Sequence, residues 1–188
     1  QVITMKKIGV FLAEGFEEIE GLTVVDILRR AGIPVTTISI TGQKEVCGSH
    51  QIKVLADALY GEIDFSGYGG IVLPGGMPGT TNLGSHPGVK ETIKAFAAEG
   101  KLVAAICAAP SVLGQERILK GKKAACYPGF EDKLEGAEAV FEEVAEDGNI
   151  ITSRGMGTAI PFALRLAAYV TTEEKAKELA EAIIYPIG

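Results

Sequence analysis

Cys107 lies in the pentapeptide Ala-Ile-Cys107-Ala-Ala, where a short apolar run stops and a proline-bearing stretch starts. A thiol at a strand-to-helix junction faces the unpaired N–H groups of the helix's first turn. Those donors and the helix dipole can lower a cysteine pKa from about 8.5 toward roughly 3.5–7.5, which makes a nucleophile. The same position also suits a small buried filler, because free cysteine is among the most buried residue types. Two further segments carry chemistry. Between Glu14 and Glu20 stand four carboxylates in seven residues: Glu14, Glu17, Glu18 and Glu20. Glu17 and Glu20, at i and i+3, share a helix face, and Glu18 is turned away. Carboxylates near a helix start commonly just complement its dipole. Set beside a cysteine, however, a crowded carboxyl can stay protonated and donate a hydrogen bond to the thiolate or move protons as a general acid or base. The pair Gly75-Gly76, with no side chain in the way, can bring backbone N–H groups to a developing oxyanion, with the N–H of Ala108 as second donor.

The pattern around these residues is that of an α/β protein. Lys7 to Leu12 reads as a first strand, and Glu17 to Ala31 as a helix with Ile19, Leu22, Val25 and Leu28 on its apolar stripe and Gly32 as its stop. Pro34 to Ile40, Gly70 to Leu73, Lys101 to Ile106 and Asn149 to Ser153 read as further strands, and Val46 to Leu55 as a hairpin or edge excursion. Helices are expected from about Pro87 to Glu99, after Cys107 with Pro110 in the first turn, from Thr158 to Tyr169 and from Glu173 to Tyr185. Continuous apolar runs with no polar alternation point to strands buried on both faces. The expectation is one doubly wound, mostly parallel sheet with helices on both faces, whose ligands gather beyond the carboxyl ends of the strands. The Glu14–Glu20 turn, the Gly75-Gly76 loop and the Cys107 elbow should meet there.

Composition narrows the function. A chain of 188 residues can build one substantial core, and no repeat or linker divides it. The net charge of −6, with scattered Lys and Arg, speaks against a nucleic-acid face. No apolar run reaches the roughly 18 residues of a membrane span, and no signal-peptide pattern opens the chain. Cys47, Cys107 and Cys126 are odd in number and lack C-x-x-C spacing, which points to reduced thiols in a cytoplasmic setting rather than a disulfide frame or zinc site. No ligand spacing for a metal and no G-x-G-x-x-G opening a helix is present, so no cofactor is expected. Gln1 to Thr4, ahead of Met5, reads as a cloning remnant before a domain spanning 5–188.

The segments Glu17-Glu18-Ile19-Glu20, Val25 to Gly32, Val72-Leu73-Pro74-Gly75-Gly76, Ala104 to Ala108, and Thr152-Ser153-Arg154-Gly155 with Gly157-Thr158 together resemble the DJ-1/PfpI (ThiJ) superfamily, and its DJ-1 and YajL branch most of all. They follow the family's order over nearly the whole chain from Met5. The resemblance implies a flavodoxin-like, homodimeric fold with Cys107 as nucleophile and redox-sensitive thiol. It further implies Glu20 as the protonated partner and Gly76 and Ala108 as oxyanion donors. Two departures matter. Peptidase members place a histidine directly after the nucleophile, where this chain has Ala108, and the DJ-1 branch has a histidine at Tyr127, before Pro128. Only His50 and His86 are present in the chain. A PfpI-type peptidase is therefore disfavoured, and a mechanism in which Glu20 and Cys107 exchange protons between themselves survives.

The implied activity is attack of Cys107 on a small reactive carbonyl such as methylglyoxal or a glycated substrate, as a glutathione-independent glyoxalase or a deglycase. The competing expectation is a redox sensor or redox-regulated chaperone that oxidises the same cysteine; a pure assembly role ranks last because it leaves the Glu20–Cys107 pairing unexplained. Glu17, Tyr127 and Arg154 are candidate pocket residues, with Arg154 equally readable as a solvated turn residue. Cys47 reads as a filler or a dimer-interface thiol, and Cys126 as a structural or pocket-lining residue.

Overall fold

The computed structural model describes residues 7–186, so the Gln1–Thr4 stretch and the extreme ends of the expected 5–188 domain lie outside the described residues. Strands run Lys7–Leu12 (β1), Val35–Ser39 (β2), Glu45–Cys47 (β3), Lys53–Leu55 (β4), Ala58–Leu59 (β5), Tyr68–Leu73 (β6), Leu102–Ile106 (β7), Lys123–Ala124 (β8), Glu138–Ala139 (β9), Val144–Asp147 (β10) and Ile150–Ser153 (β11). The helices are Glu18–Arg30 (α1), Gly79–Ser85 (α2), Pro87–Ala98 (α3), Pro110–Gln115 (α4), Ala159–Val170 (α5) and Glu173–Ala182 (α6).

The central sheet has the order β10-β11-β7-β6-β1-β2-β5. Every pairing in it is parallel except β10 with β11, which closes the edge as an antiparallel hairpin. Side chains alternate across each inner strand. Ile8, Val10 and Leu12 of β1, Val72 of β6, and Leu102, Ala104 and Ile106 of β7 face the layer built by α1, α5 and α6. Phe11, Ile71, Leu73, Val103 and Ala105 face the layer of α2, α3 and α4. The strands β1, β6 and β7 are therefore nearly continuous apolar runs because both faces are covered, and this is a mostly parallel, doubly wound single domain.

The strand order reverses between β1 and β6. Such a reversal leaves a crevice beyond the carboxyl ends of the two strands, and the chain places the start of α1 and the Gly75-Gly76 loop there. The hairpin of β3 and β4 lies outside the sheet and supplies the wall over α1.

The expected apolar stripe of α1 is rotated in the structure. Ile19 is 49% and Leu22 37% exposed, whereas Val24, Ile27 and Leu28 enter the core with Val25 at its margin. The first turn instead buries Glu18, Glu20 and Gly21. Hydrophobic spacing could not anticipate this, because two carboxylates take the inward positions where the helix meets the crevice. The short α2, the edge strands β5 and β10 and the separate β8–β9 pair carry no clear mark in the sequence; each is brief or rich in glycine and charge, so no period stands out.

Candidate active site

Cys107 follows the last residue of β7 and has φ of +66°. A non-glycine residue in the left-handed region costs on the order of 1–3 kcal/mol and persists only where its surroundings hold it. The holding is visible on both sides. The Cys107 N–H donates to the Ser153 carbonyl at 3.0 Å, and its carbonyl accepts from the Tyr127 N–H at 2.8 Å. Ala108 is kept by the Ser111 hydroxyl, which donates to its carbonyl at 2.6 Å. The strand-to-helix elbow thus lifts the thiol away from the sheet end and toward α1.

Glu20 faces it. The carboxyl is 1% exposed, and its Oε1 accepts from the Gly75 N–H at 3.0 Å. Oε2 has no hydrogen-bond partner among the described residues, and the Cys107 thiol is the one side chain whose proximity lowers the carboxyl's pKa. Burial pushes the Glu20 pKa up to about 7; the charge of Glu17 adds to the rise, while the bonds from Cys107 and Gly75 oppose it.

The thiol does not show the low pKa expected at a helix start. Burial pushes Cys107 up to about 12, the charge of Glu20 and its hydrogen bond push the same way, and the N–H groups of Ala108 and Gly76 pull down against them. The physical reason is that only two backbone donors act on the sulfur, Ala108 at the elbow and Gly76 from the loop after β6, whereas an adjacent ionised carboxylate and a dry site both penalise a second negative charge. Protonating Glu20 removes the repulsion and turns the carboxyl into a donor toward sulfur. Glu20 and Cys107 are therefore coupled, each altering the proton affinity of the other.

The loop after β6 is shaped by close approach. A Cβ on Gly75 would stand 2.6 Å from the Cys107 Cβ and 2.7 Å from Glu20 Oε1. At Gly76, φ is +91°, and a Cβ would lie 2.4 Å from the Glu17 nitrogen. Glycine at both positions is what lets the loop slide between α1 and the elbow. The expectation that Gly75 serves as an oxyanion donor is corrected here: its N–H is committed to Glu20 and its carbonyl accepts from the Glu17 N–H at 2.8 Å. The backbone donors that pull the Cys107 pKa down are instead the N–H groups of Gly76 and Ala108.

The carboxylate cluster does not converge on the cysteine. Glu14 Oε2 accepts from the Cys47 N–H at 3.2 Å. Glu17 caps α1, its Oε2 accepting from the Glu20 N–H at 2.9 Å. Glu18 is 3% exposed and turned away from Cys107, as expected, but into the turn between β3 and β4. There it accepts from the N–H groups of His50 at 2.9 Å and Ile52 at 3.2 Å. Gly48 is the sequence mark of this contact, since a Cβ there would sit 2.3 Å from the Glu18 carboxyl carbon. Glu17, Glu18 and His50 also form a group of side chains near enough to share a cation. Glu18 already spends its oxygens on backbone donors, so the group lacks the free lone pairs of a metal site.

The match to known proteins has the same reach as this geometry. The profile of the DJ-1/PfpI family fits residues 6–169. The chain belongs to the DJ-1/PfpI family. It is 40% identical over 181 residues to protein DJ-1 homolog B of Arabidopsis thaliana, which covers 95% of this chain but only 41% of that longer protein. It is 37% identical over 152 residues to YraA of Bacillus subtilis, provisionally named a cysteine protease, with 79% of this chain and 89% of that one covered. Among solved structures, oxidised DJ-1 of Toxoplasma gondii superposes with a TM-score of 0.93 at 36% identity, covering 97% of this chain and all of that one, 100%.

The other expected pocket residues take different places in this DJ-1/PfpI fold. Tyr127 is half exposed at the rim, its ring edge-on to Phe130, and its backbone N–H rather than its hydroxyl touches the elbow. Arg154 lies with its guanidinium 5.6 Å from the Phe141 ring, and its charge acts on Cys126 rather than on the Glu20–Cys107 pair. Cys126 is buried in the apolar layer under α3 and α4, where burial pushes its pKa up to about 11, as befits a structural thiol. Cys47 ties the β3 end to the loop after β1 through its carbonyl, which accepts from the Gly15 N–H at 2.8 Å. Beside the elbow, a cavity of about 440 Å³ opens between α2 and α4, lined by Met77, Thr80, Ser111, Gln115, Phe130 and Lys133.

Proposed function

We propose that this chain is a cysteine-dependent enzyme that converts small reactive carbonyls without a cofactor, as a glutathione-independent glyoxalase or a deglycase. The observation that carries the reading is the buried Glu20 carboxyl beside Cys107, one oxygen of which has no hydrogen-bond partner among the described residues. For methylglyoxal, the Cys107 sulfur attacks the aldehyde carbon as the thiol proton passes to Glu20. The carbonyl π pair moves to oxygen beside the Gly76 and Ala108 N–H groups, and Glu20 returns a proton to it, giving a hemithioacetal. Glu20 then takes the C1 proton, the C1–H pair forming a C1–C2 double bond as the C2 carbonyl pair moves to oxygen; return of that proton at C2 and passage of the C1 hydroxyl proton to the C2 oxygen leave a thioester of lactate. Water cleaves it to lactate and free thiol, so the net change is addition of one water. A pKa about 7 suits a group that must both give and take protons near neutrality.

A second reading is favoured by the same thiol. Hydrogen peroxide removes electrons from Cys107 in two steps, to sulfenate and then sulfinate, and the protonated Glu20 with the Gly76 and Ala108 N–H groups supplies donors for those oxygens. The oxidised relative from Toxoplasma gondii supports an oxidisable site on this fold, the step that a redox sensor or redox-regulated chaperone would need. A peptidase lacks support from the site, since no histidine contacts Cys107, although the relative YraA carries that name.

A second copy of the chain is the proposed partner. Ile19, Leu22, Ile52, Ile160 and Ile184 are all exposed around a groove of about 660 Å³ beside α1, an apolar face suited to an isologous contact. Leu22→Glu should then halve the mass read by light scattering. The working compartment proposed is the cytoplasm, supported by three free cysteines. No helix among the described residues is long and apolar enough to cross a membrane.

The deciding experiment follows methylglyoxal by NMR without glutathione. Lactate formed in many equivalents by the native chain and lost in Cys107→Ser supports the enzyme. At most one thiol-bound equivalent moves the reading to the redox function.

A further inference from the structure

We infer that His50, in the turn between β3 and β4, is a positioning residue that sets the proton affinity of Glu20 through the carboxylate of Glu17. The inference rests on the Glu20–Cys107 proton exchange proposed above, and extends it to a residue from a different element that touches neither reacting group.

The chain of contacts is short. Glu17 Oε2 accepts from the Glu20 backbone N–H at 2.9 Å, and its other oxygen, Oε1, lies 3.5 Å from His50 Nδ1. One carboxylate therefore spans the imidazole and the catalytic helix turn. Glu17 also raises the proton affinity of Glu20 by its charge, so whatever offsets that charge is felt at the dyad. The groups around His50 are Glu17, Glu18 at 3.3 Å and the Ser49 hydroxyl at 3.1 Å; those around Glu20 are Glu17, Cys107 and the Gly75 N–H. No other charged side chain among the described residues perturbs Glu20, so the charge carried at position 50 beside Glu17 is what this turn brings to the dyad.

The sign is fixed by electrostatics. A cationic imidazole offsets Glu17, weakens its repulsion of the Glu20 carboxylate and makes Glu20 more acidic; a neutral imidazole leaves Glu17 at full strength. Imidazole is the side chain whose ordinary charge change falls between pH 5 and 8. The ring is 71% exposed, so water and salt screen the effect and the expected shift is about 0.2–0.5 pH units. The turn itself does not depend on the ring, because Glu18 holds it through the His50 and Ile52 backbone N–H groups.

The test reads Glu20 directly, by infrared titration of its carboxyl C=O stretch, assigned as the band lost in Glu20→Gln. His50→Gln should move the midpoint up and His50→Lys should move it down, with the two variants converging in 1 M salt. In a Glu17→Gln background the midpoint should fall and the two His50 variants should coincide. Equal midpoints for His50→Gln and His50→Lys in the native background, or a reversed order, overturn the inference. If no band near neutrality disappears in Glu20→Gln, the dyad itself is wrong, which is a separate result. Thermal melts confirm that each variant is folded; a pair that shifts oppositely cannot arise from a common loss of structure.

Discussion

Glu18 and Glu20 stand two residues apart in the first turn of α1, both closed off from solvent, and they behave in opposite ways. Burial is the largest influence on each and pushes both pKa values up. At Glu18 it is outweighed by backbone N–H groups of Glu18, Ile52 and His50 and by the His50 side chain, so the carboxyl sits below its usual range. At Glu20 a single N–H and a thiol do not suffice, and the carboxyl rises to about 7. What separates a structural carboxylate from a reactive one is here the number of donors together with depth, since both are closed to solvent but Glu20 sits far deeper in the crevice than Glu18. The turn of β3 and β4 supplies donors to the first; the Gly75 loop withholds them from the second.

Exchanging the two roles by mutation gives the largest expected effects. Glu20→Gln should lower carbonyl turnover by about 10²–10⁴-fold, the usual worth of a positioned general acid or base, without lowering the melting temperature. Glu18→Gln should do the reverse. It sets an amide among N–H donors that need an acceptor, at a cost of about 1–3 kcal/mol, and should leave turnover within a few fold. Paired melts and NMR rates check both. If Glu18→Gln loses activity while keeping stability, the division between the two carboxylates fails.

Stability against pH sharpens the same contrast. Glu20 has a native pKa raised above the ordinary carboxylate value of 4.5 to about 7, so between those limits the native state holds more protons than the unfolded one. Its contribution therefore favours the fold below about pH 4.5 and is lost as pH rises through about 7, a difference on the order of 3 kcal/mol. Glu18 runs the other way: its folded pKa is depressed, so its contribution is present at neutral pH and is lost as pH falls through that lowered value. Urea melts across pH 3–8 should show Glu20→Gln gaining on the native chain as pH rises, and Glu18→Gln losing ground over the same range. Parallel curves for the two variants would contradict the assignment.

The sequence disclosed the frame of this site better than its wiring. Apolar runs such as Lys101 to Ile106 declare a strand covered on both faces, and the break after Ile106 marks the elbow, so the meeting of the Glu17–Glu20 turn, the Gly75 loop and Cys107 was legible. The fate of each carboxylate was not. Whether Glu14 binds Cys47 or Glu18 binds the 48–52 turn depends on where a hairpin folds back, a contact more than thirty residues away with no periodic signal. The lowered thiol pKa failed for a related reason. A helix start can be read from Pro110, but the desolvation and the facing carboxylate that outweigh it are properties of the assembled crevice.

Tyr127 offers the smallest effect and separates main chain from side chain at the rim. Its N–H holds the strained Cys107 carbonyl at 2.8 Å, while its ring is half exposed and packs edge-on to Phe130. A phenol with an ordinary pKa near 10 is a poor base at neutral pH, so the proton traffic assigned to Glu20 asks nothing of the hydroxyl. Tyr127→Phe keeps both the backbone donor and the ring, and should leave kcat/KM for methylglyoxal within about twofold, well under 1 kcal/mol. Tyr127→Pro removes the donor that helps hold the left-handed elbow and should cost activity even where the fold survives, since a relaxed Cys107 no longer aims at Glu20. A tenfold loss in Tyr127→Phe would mean that the hydroxyl takes part in the chemistry, and the two-residue proton exchange would then have to become a three-residue one.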